Sequence, residues 1–350
     1  MTDAAARVLD AAVTARAFPG AAAEVGSSDG PLWTHVAGAL TYDPDAPRVT
    51  CDTRYDLASL TKVIATTSIA MRQARDETLD LDALVQRWLP AWKDGPFAAV
   101  RVRDLLEHAS GLPDWRPFFK LFDPHAVPDA ARAVVVDAVA AESPAYAPRS
   151  KSVYSDVGFL LLGHVIERVA GERIDVPFTR LRDEAGLPAS LRYGVDSNDA
   201  VAPTEVDSWR GRLLRGEVHD ENAYVLGGIA PHAGLFGTAG DVGAFARLVL
   251  QTFREETPLG VPRLMTVFAT RSSVAGSSRA LGWDTMLPTS SCGTRMSALA
   301  IGHTGFTGTS LWIDPAADRY YVLLTNRVHP SRENNAIRQV RRDFHEAVAS

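Results

Sequence analysis

The sequence predicts an α/β fold in which one sheet is assembled from both ends of the chain and a helical domain is inserted between them. Three observations carry this. Strand-like segments occur near the start (AAAEV, LWTHVAG) and near the end (SALAIGHTGFTGTSLWID, RYYVLLTNR). Between them lies a long block with helical apolar spacing, in LTKVIATTSIAMRQA, LDALVQRWL, VRVRDLLEHA, DAARAVVVDAVAAE and GFLLLGHVIERVAG. Alternating strand–helix units, the mark of a parallel sheet, do not occur in this order. The division assigns residues 1–60 and 225–350 to the sheet-bearing domain and 61–224 to the helical one.

Each element has a local reason. MTDAAARVLDAAVTARAFPG interleaves Asp3, Arg7, Asp10 and Arg16 with apolar residues, so it reads as an amphipathic helix rather than a secretory leader. GSSDGP is rich in hairpin-turn residues and joins the first two strands. From Leu60, residues Leu60, Val63, Ile64, Thr67, Ala70 and Met71 fall on one helix face. A loop-rich region, roughly 183–240, precedes the helix DVGAFARLVLQTF. The closing segment RENNAIRQVRRDFHEAVA reads as a helix with Ser331 as its N-cap and Ile337, Val340, Phe344 and Val348 on one face.

Bulk properties exclude several functions. The 350 residues are 46% hydrophobic and 22% charged, which suits an ordinary globular protein. A net charge of −6 gives no general attraction for nucleic acid or anionic membrane. No run approaches the ~18 apolar residues of a membrane span. Cys51 and Cys292 lie far apart and form no CxxC, so neither a disulfide framework nor a zinc site is expected. No histidine pair has metal-ligand spacing. A cytoplasmic protein without metal or cofactor is the expectation.

Three short motifs carry chemistry. The first is Ser59-Leu60-Thr61-Lys62 at the start of a helix. Residues three apart share a helix face, so hydroxyl and ammonium can meet. A serine hydroxyl needs a base to become a nucleophile, and a lysine of lowered pKa can serve. The chain has only four lysines, and Lys93, Lys120 and Lys151 each follow a proline by three positions, so this Ser-x-x-Lys is the only one. The second motif is Tyr154-Ser155-Asp156, before another helix, with a phenol able to relay protons. The third is His303-Thr304-Gly305, in a strand whose glycine suits a cleft edge. Each has a structural reading as well: a capping serine with a solvated lysine, a helix start capped by Ser155 or Asp156, and a glycine-rich edge strand.

In this order and at these distances the three motifs resemble the β-lactamase and penicillin-binding-protein-like serine hydrolases. The class C-related branch, with its family VIII-type esterases and D-amino-acid peptidases, is the most similar. The resemblance spans nearly the whole chain, including LLEHASGLPDW and GEVHDENAYVLGGIAPHAGLFGTAGDVGAFARLVL. It implies a β-lactamase-like fold, with an antiparallel sheet and flanking helices beside an all-helical domain and the active site in the cleft between. It further implies that Ser59 is acylated and that Lys62 and Tyr154 share acid and base duty. His303, Thr304 and Gly305 would line the strand that often carries Lys-Thr-Gly, and the backbone N–H groups of Ser59 and Phe306 would form the oxyanion hole.

Two departures shape the expected substrate. Relatives commonly have asparagine where Asp156 stands. A carboxylate there favours charged Lys62 and shifts base duty toward Tyr154. His303 replaces a permanently charged lysine with a group that titrates near neutrality, which leans toward esters or neutral amides. The expectation is a serine hydrolase acting on a small ester or amide, foremost a carboxylesterase. The alternatives are a β-lactamase, D,D-carboxypeptidase or D-aminopeptidase of the same fold, and a non-catalytic binding or assembly protein. Gly26-Ser27-Ser28-Asp29-Gly30 matches the nucleophile-elbow pattern by letter only, because it joins two strands. His219, Asp220 and His232 lie in loops that either border the cleft or, the favoured reading, serve loop or interdomain packing, and Trp115, Trp209 and Trp312 are expected as pocket wall or core.

Overall fold

A computed structural model describes residues 2–196 and 200–349; positions 197–199, within the loop-rich region, and the terminal residues 1 and 350 lie outside that description. The chain opens with helix α1 (Thr2–Thr14), then strands β1 (Gly20–Ser27) and β2 (Gly30–Gly38). These form the expected hairpin, with Ser27 ending β1 and Ser28 and Asp29 in the turn, so the segment makes no nucleophile elbow. A two-residue strand β3 (Tyr55–Asp56) leads into π-helical turns at Lys62–Thr67, continued by α2 (Ser68–Arg75).

The inserted stretch carries α3 (Val102–Leu106), α4 (Ala131–Ala140), α5 (Asp156–Ala170) and α6 (Asp175–Glu184). It also holds three two-residue strands: β4 (Arg192–Tyr193), β5 (Val206–Asp207) and β6 (Arg212–Leu213). There follow α7 (Glu221–Val225), β7 (Leu235–Gly237), α8 (Ala239–Thr252) and α9 (Pro262–Ala269). The chain closes with β8 (Asp284–Thr285), β9 (Ile301–Thr304), β10 (Ser310–Asp314), β11 (Arg319–Thr325) and α10 (Ile337–Val348).

The main sheet is antiparallel, in the order β2-β1-β11-β10-β9-β8, so both chain ends do build it. Strand periodicity splits its side chains between two cores. Ala21, Ala23, Trp312, Tyr321 and Leu323 face a layer made by α1 and α10, including Leu9 and Phe344. Ala22, Leu311, Ile313, Val322 and Leu324 face the other way, where the core continues into α8 and the inserted helices. Each large apolar side chain so buried stabilises the fold by about 1.5–3 kcal/mol. Gly302 of β9 has no alternative, because a Cβ there would run into the Trp312 indole.

Four local expectations need correction. The segment from Leu60 is buried all round through Met71, not on one face, since the sheet and the inserted helices enclose it. LDALVQRWL forms only short 3₁₀ turns: Leu84 is extended, bridging Arg101, and Pro90 follows. The closing helix begins at Ile337 and Ser331 caps nothing. Arg327 instead holds the carbonyls of Arg332 and Asn334, and the Asn334 side chain accepts the N–H of Ala336. Among its described residues the loop-rich region is interrupted by α7 and four short strands.

Candidate active site

Ser59 sits where β3 gives way to helix, on a loop stitched at several points. The Asp56 carboxylate accepts the N–H groups of Ala58 (2.8 Å) and His219 (2.6 Å). Thr307 and Thr309 donate their hydroxyls to the carbonyls of Asp56 (2.8 Å) and Leu57 (3.0 Å). The loop after β9 is thereby laced to the residues just before Ser59. Ala58 has φ 46°, a left-handed conformation unfavourable for a residue with a Cβ, held by these bonds. Burial pushes the Asp56 carboxyl above its ordinary pKa, and its backbone hydrogen bonds only partly offset that.

Lys62 is 0% exposed. Its Nζ lies 3.1 Å from Ser59 Oγ, 3.3 Å from the His232 carbonyl and 2.6 Å from the Asp156 carboxylate. The ammonium also stands 4.8 Å from the centre of the Tyr154 ring. Burial acts to lower the Lys62 pKa, but the Asp156 charge and the Tyr154 oxygen outweigh it and the net direction is upward. Lysine here is charged at rest. Tyr154 Oη is 2.8 Å from Ser59 Oγ, and burial followed by the Asp156 charge raises its pKa, so the phenol keeps its proton.

The Tyr154-Ser155-Asp156 loop is positioned by residues from LLEHASGLPDW. The backbone N–H of Ser155 donates to His108 Nδ1 (3.0 Å), and the N–H of Asp156 to the Asp114 carbonyl (2.8 Å). The His108 ring packs on Tyr154, 4.8 Å between centres. Ser155 caps α5 by accepting the Gly158 N–H. The structural reading of this motif holds for Ser155, which caps, while Tyr154 and Asp156 reach Ser59 and Lys62.

His303 and Thr304 occupy β9, opposite Leu311 and Ser310. The His303 ring lies 5.7 Å from that of Tyr154, and its Nδ1 is 2.9 Å from the Thr304 carbonyl. Titration near neutrality, expected above, is not what this environment produces. Burial, then the charges of Lys62 and Arg279, hold the imidazole well below its usual pKa. His303 is neutral at pH 7. We therefore expect kcat/KM on an ester to stay flat from about pH 6 to 8, with any histidine limb on the acid side. An inflection near 6.5 that disappears in His303→Gln would contradict this.

Gly305 packs against the Leu57 carbonyl and Ala58 Cβ, where a side chain would not fit. Phe306, 50% exposed, lies between the His219 ring (5.6 Å) and the Arg327 guanidinium (4.4 Å). Among the described residues, the backbone N–H groups of Ser59 and Phe306 donate to no protein acceptor. They are free for an oxyanion.

Arg279, which the sequence did not single out, and His232, which it did, also stand near the serine. Arg279 places its guanidinium 5.1 Å from the Tyr154 ring centre, and only the Tyr154 contact marks it among many arginines. His232 contributes a carbonyl to Lys62 while its ring pairs with Asp220 at 2.9 Å, so these loops border the site. Trp312 is core. Trp115, 41% exposed, begins a run of ring contacts through Phe119 to Trp209. Among the described residues, no group of three or more His, Cys, Asp or Glu could hold a metal ion. No described helix is long and apolar enough to cross a membrane.

A serine within hydrogen-bond reach of a buried lysine and a tyrosine is the arrangement of a serine hydrolase. The beta-lactamase family model matches residues 5–346, and the chain belongs to that family. It is 30% identical over 320 residues to a putative D-alanyl-D-alanine carboxypeptidase of Escherichia coli K12, covering 81% of this chain and 71% of that protein. It is 31% identical over 302 residues to an N-acetylmuramyl-L-alanine amidase of Bacillus subtilis 168, covering 79% and 68%. Among solved structures, EstCE1, a hydrolase with promiscuous acyltransferase activity, matches with a TM-score of 0.75 at 21% identity over 99% of this chain and 98% of that one. Unliganded simvastatin synthase (LovD) from Aspergillus terreus matches with a TM-score of 0.73 at 19% identity, covering 99% and 98%. The structural likenesses establish the fold.

Proposed function

We propose that this protein is a cytoplasmic carboxylesterase that hydrolyses small esters through an acyl-enzyme on Ser59. The carrying observation is that Ser59 Oγ lies within hydrogen-bond reach of both Lys62 Nζ and Tyr154 Oη while Lys62 is wholly buried. Ser59 Oγ attacks the ester carbonyl carbon, and the carbonyl oxygen takes the charge between the N–H groups of Ser59 and Phe306. The proton of Ser59 passes to Lys62 as Lys62 gives one of its own to Asp156, since the ammonium has no vacancy. Tyr154 donates its proton to the leaving alkoxide as the carbon–oxygen bond breaks, and recovers it from Asp156 through Lys62. Water then takes the place of the alcohol, and the steps reverse to release the acid. Two free cysteines support the cytoplasmic placement.

Neutral His303 favours an uncharged acyl donor, because it offers no cation to a substrate carboxylate. One observation favours a second reading. Arg279 is only loosely paired, 3.9 Å from Asp284, and could hold the carboxylate of a peptide-like substrate. The relatives named as a carboxypeptidase and an amidase point the same way. Side-by-side assay of p-nitrophenyl esters, nitrocefin and D-aminoacyl p-nitroanilides decides. Short-chain esters are expected to turn over fastest. Faster turnover of nitrocefin or of an anilide would establish the second reading, and no turnover on any of them would leave a binding or assembly protein.

A further inference from the structure

Arg341 projects from α10 into the interior and is 8% exposed. Its Nη2 donates to the carbonyls of Gly305 (2.6 Å) and Thr309 (2.8 Å). Among the described residues it has no carboxylate partner; the other charges it feels are the guanidinium groups of Arg327 and Arg338. Its Nε is buried without a partner. Burying a cation this way is unfavourable, and removing a charge from water normally requires a counter-ion. Burial, aided by Arg327 and Arg338, lowers its pKa to about 9, which still leaves it charged at neutral pH.

The carbonyl it holds explains the arrangement. The Gly305 C=O and the Phe306 N–H belong to one peptide unit, and in a trans peptide they point in opposite directions. Binding the oxygen therefore aims the N–H the other way. That N–H donates to no described protein group, and Gly305 packs on Leu57 and Ala58, directly before Ser59. A guanidinium on the oxygen also draws electron density from the peptide and strengthens the N–H as a donor. Arg327 braces the next unit, donating from Nε to the Phe306 carbonyl (2.8 Å) while covering the Phe306 ring.

We propose that Arg341 is a positioning residue for acyl transfer, a buried cation that locks and polarises the Gly305–Phe306 peptide so that its N–H stabilises the oxyanion on the substrate. This rests on the reading of Phe306 as an oxyanion donor. Neither Arg341 nor its carbonyl partners touch substrate in this account; the effect passes through one peptide plane.

The test compares an ester with its thionoester, in which sulfur replaces the carbonyl oxygen. An effective oxyanion hole prefers oxygen, so the ratio of kcat/KM values reports on the hole itself. Arg341→Met is expected to lower ester kcat/KM by about 10- to 100-fold, less than the loss of a whole oxyanion donor, and to shrink the oxygen-over-sulfur preference. Arg341→Lys, which keeps the charge, is expected to recover much of both. If the wild type prefers oxygen and Arg341→Met keeps that preference, whether or not its rate falls, Arg341 serves packing alone and the proposal is overturned. If Arg341→Met does not fold, Arg341→Gln takes its place with the same criterion. A wild type that turns over esters without preferring oxygen would overturn both this proposal and the oxyanion reading. A wild type inert to esters would overturn the esterase reading itself.

Discussion

Ser59→Ala is expected to reduce ester turnover by at least about 10⁴-fold and to abolish labelling by a fluorophosphonate probe. The hydroxyl is the atom on which the rest of the site converges, with Lys62 Nζ at 3.1 Å and Tyr154 Oη at 2.8 Å. Removing it leaves nothing for the lysine and tyrosine to activate. The fold should survive. Lys62 keeps Asp156 and the His232 carbonyl, and the loss amounts to one side-chain hydrogen-bonding group, about 1 kcal/mol. Intact-protein mass spectrometry should show one phosphonyl adduct on the wild type and none on the variant. Full turnover by Ser59→Ala would dispose of the nucleophile assignment.

Lys62→Met should combine a comparable loss of activity with a large loss of stability. The lysine side chain is 0% exposed and that of Asp156 is 18% exposed. Removing one member of such a pair strands the other charge, which typically destabilises by about 3–5 kcal/mol, here toward the lower end because Asp156 is partly open. Urea denaturation should therefore show a lowered midpoint. The double variant Lys62→Met/Asp156→Asn should recover stability but not turnover. A native midpoint in Lys62→Met, or retention of a tenth of wild-type activity, would argue against the buried pair. The pH dependence of this pair has a definite sign. The folded Lys62 pKa lies above its unfolded value near 10.5, so its contribution is complete below that pH and is lost as pH rises through the folded value. In Asp156→Asn alone, burial is no longer opposed by the carboxylate. The Lys62 pKa should fall, bringing the amine closer to direct base duty.

Part of the candidate site was legible from residue type and spacing, and the rest from the family resemblance that the three motifs carry in their order. Ser59 and Lys62 stand one helical turn apart, and Tyr154 and Asp156 adjoin a recognisable helix start; the structure brings all four together. The sheet from both chain ends was legible for a similar reason, since strand-like and helical spacing separate cleanly along the chain. LDALVQRWL shows where this stops. Its apolar spacing is helical, yet the Leu84–Arg101 bridge draws it into an extended start. Asp56, His108, Arg279 and Arg341 were not legible as site residues, because no short spacing links them to Ser59 and only folding does.

By itself the sequence determined the strand and helix order of this protein and the Ser59–Lys62 pair, because periodicity and spacing are local properties; Tyr154, Asp156 and the His303 strand were joined to that pair only through the resemblance their order carries. The resemblance implied a carboxylate near Lys62, and the structure places Asp156 2.6 Å from it. Only the tertiary structure decided the protonation states. It buries Lys62 yet keeps it charged through Asp156, and it makes His303 neutral by burial beside Lys62 and Arg279. It also brought Arg341 from the closing helix to the back of the Gly305–Phe306 peptide. A pKa and a peptide's orientation depend on solvent exclusion and on charges that lie near in space but far along the chain, which no spacing within the sequence records.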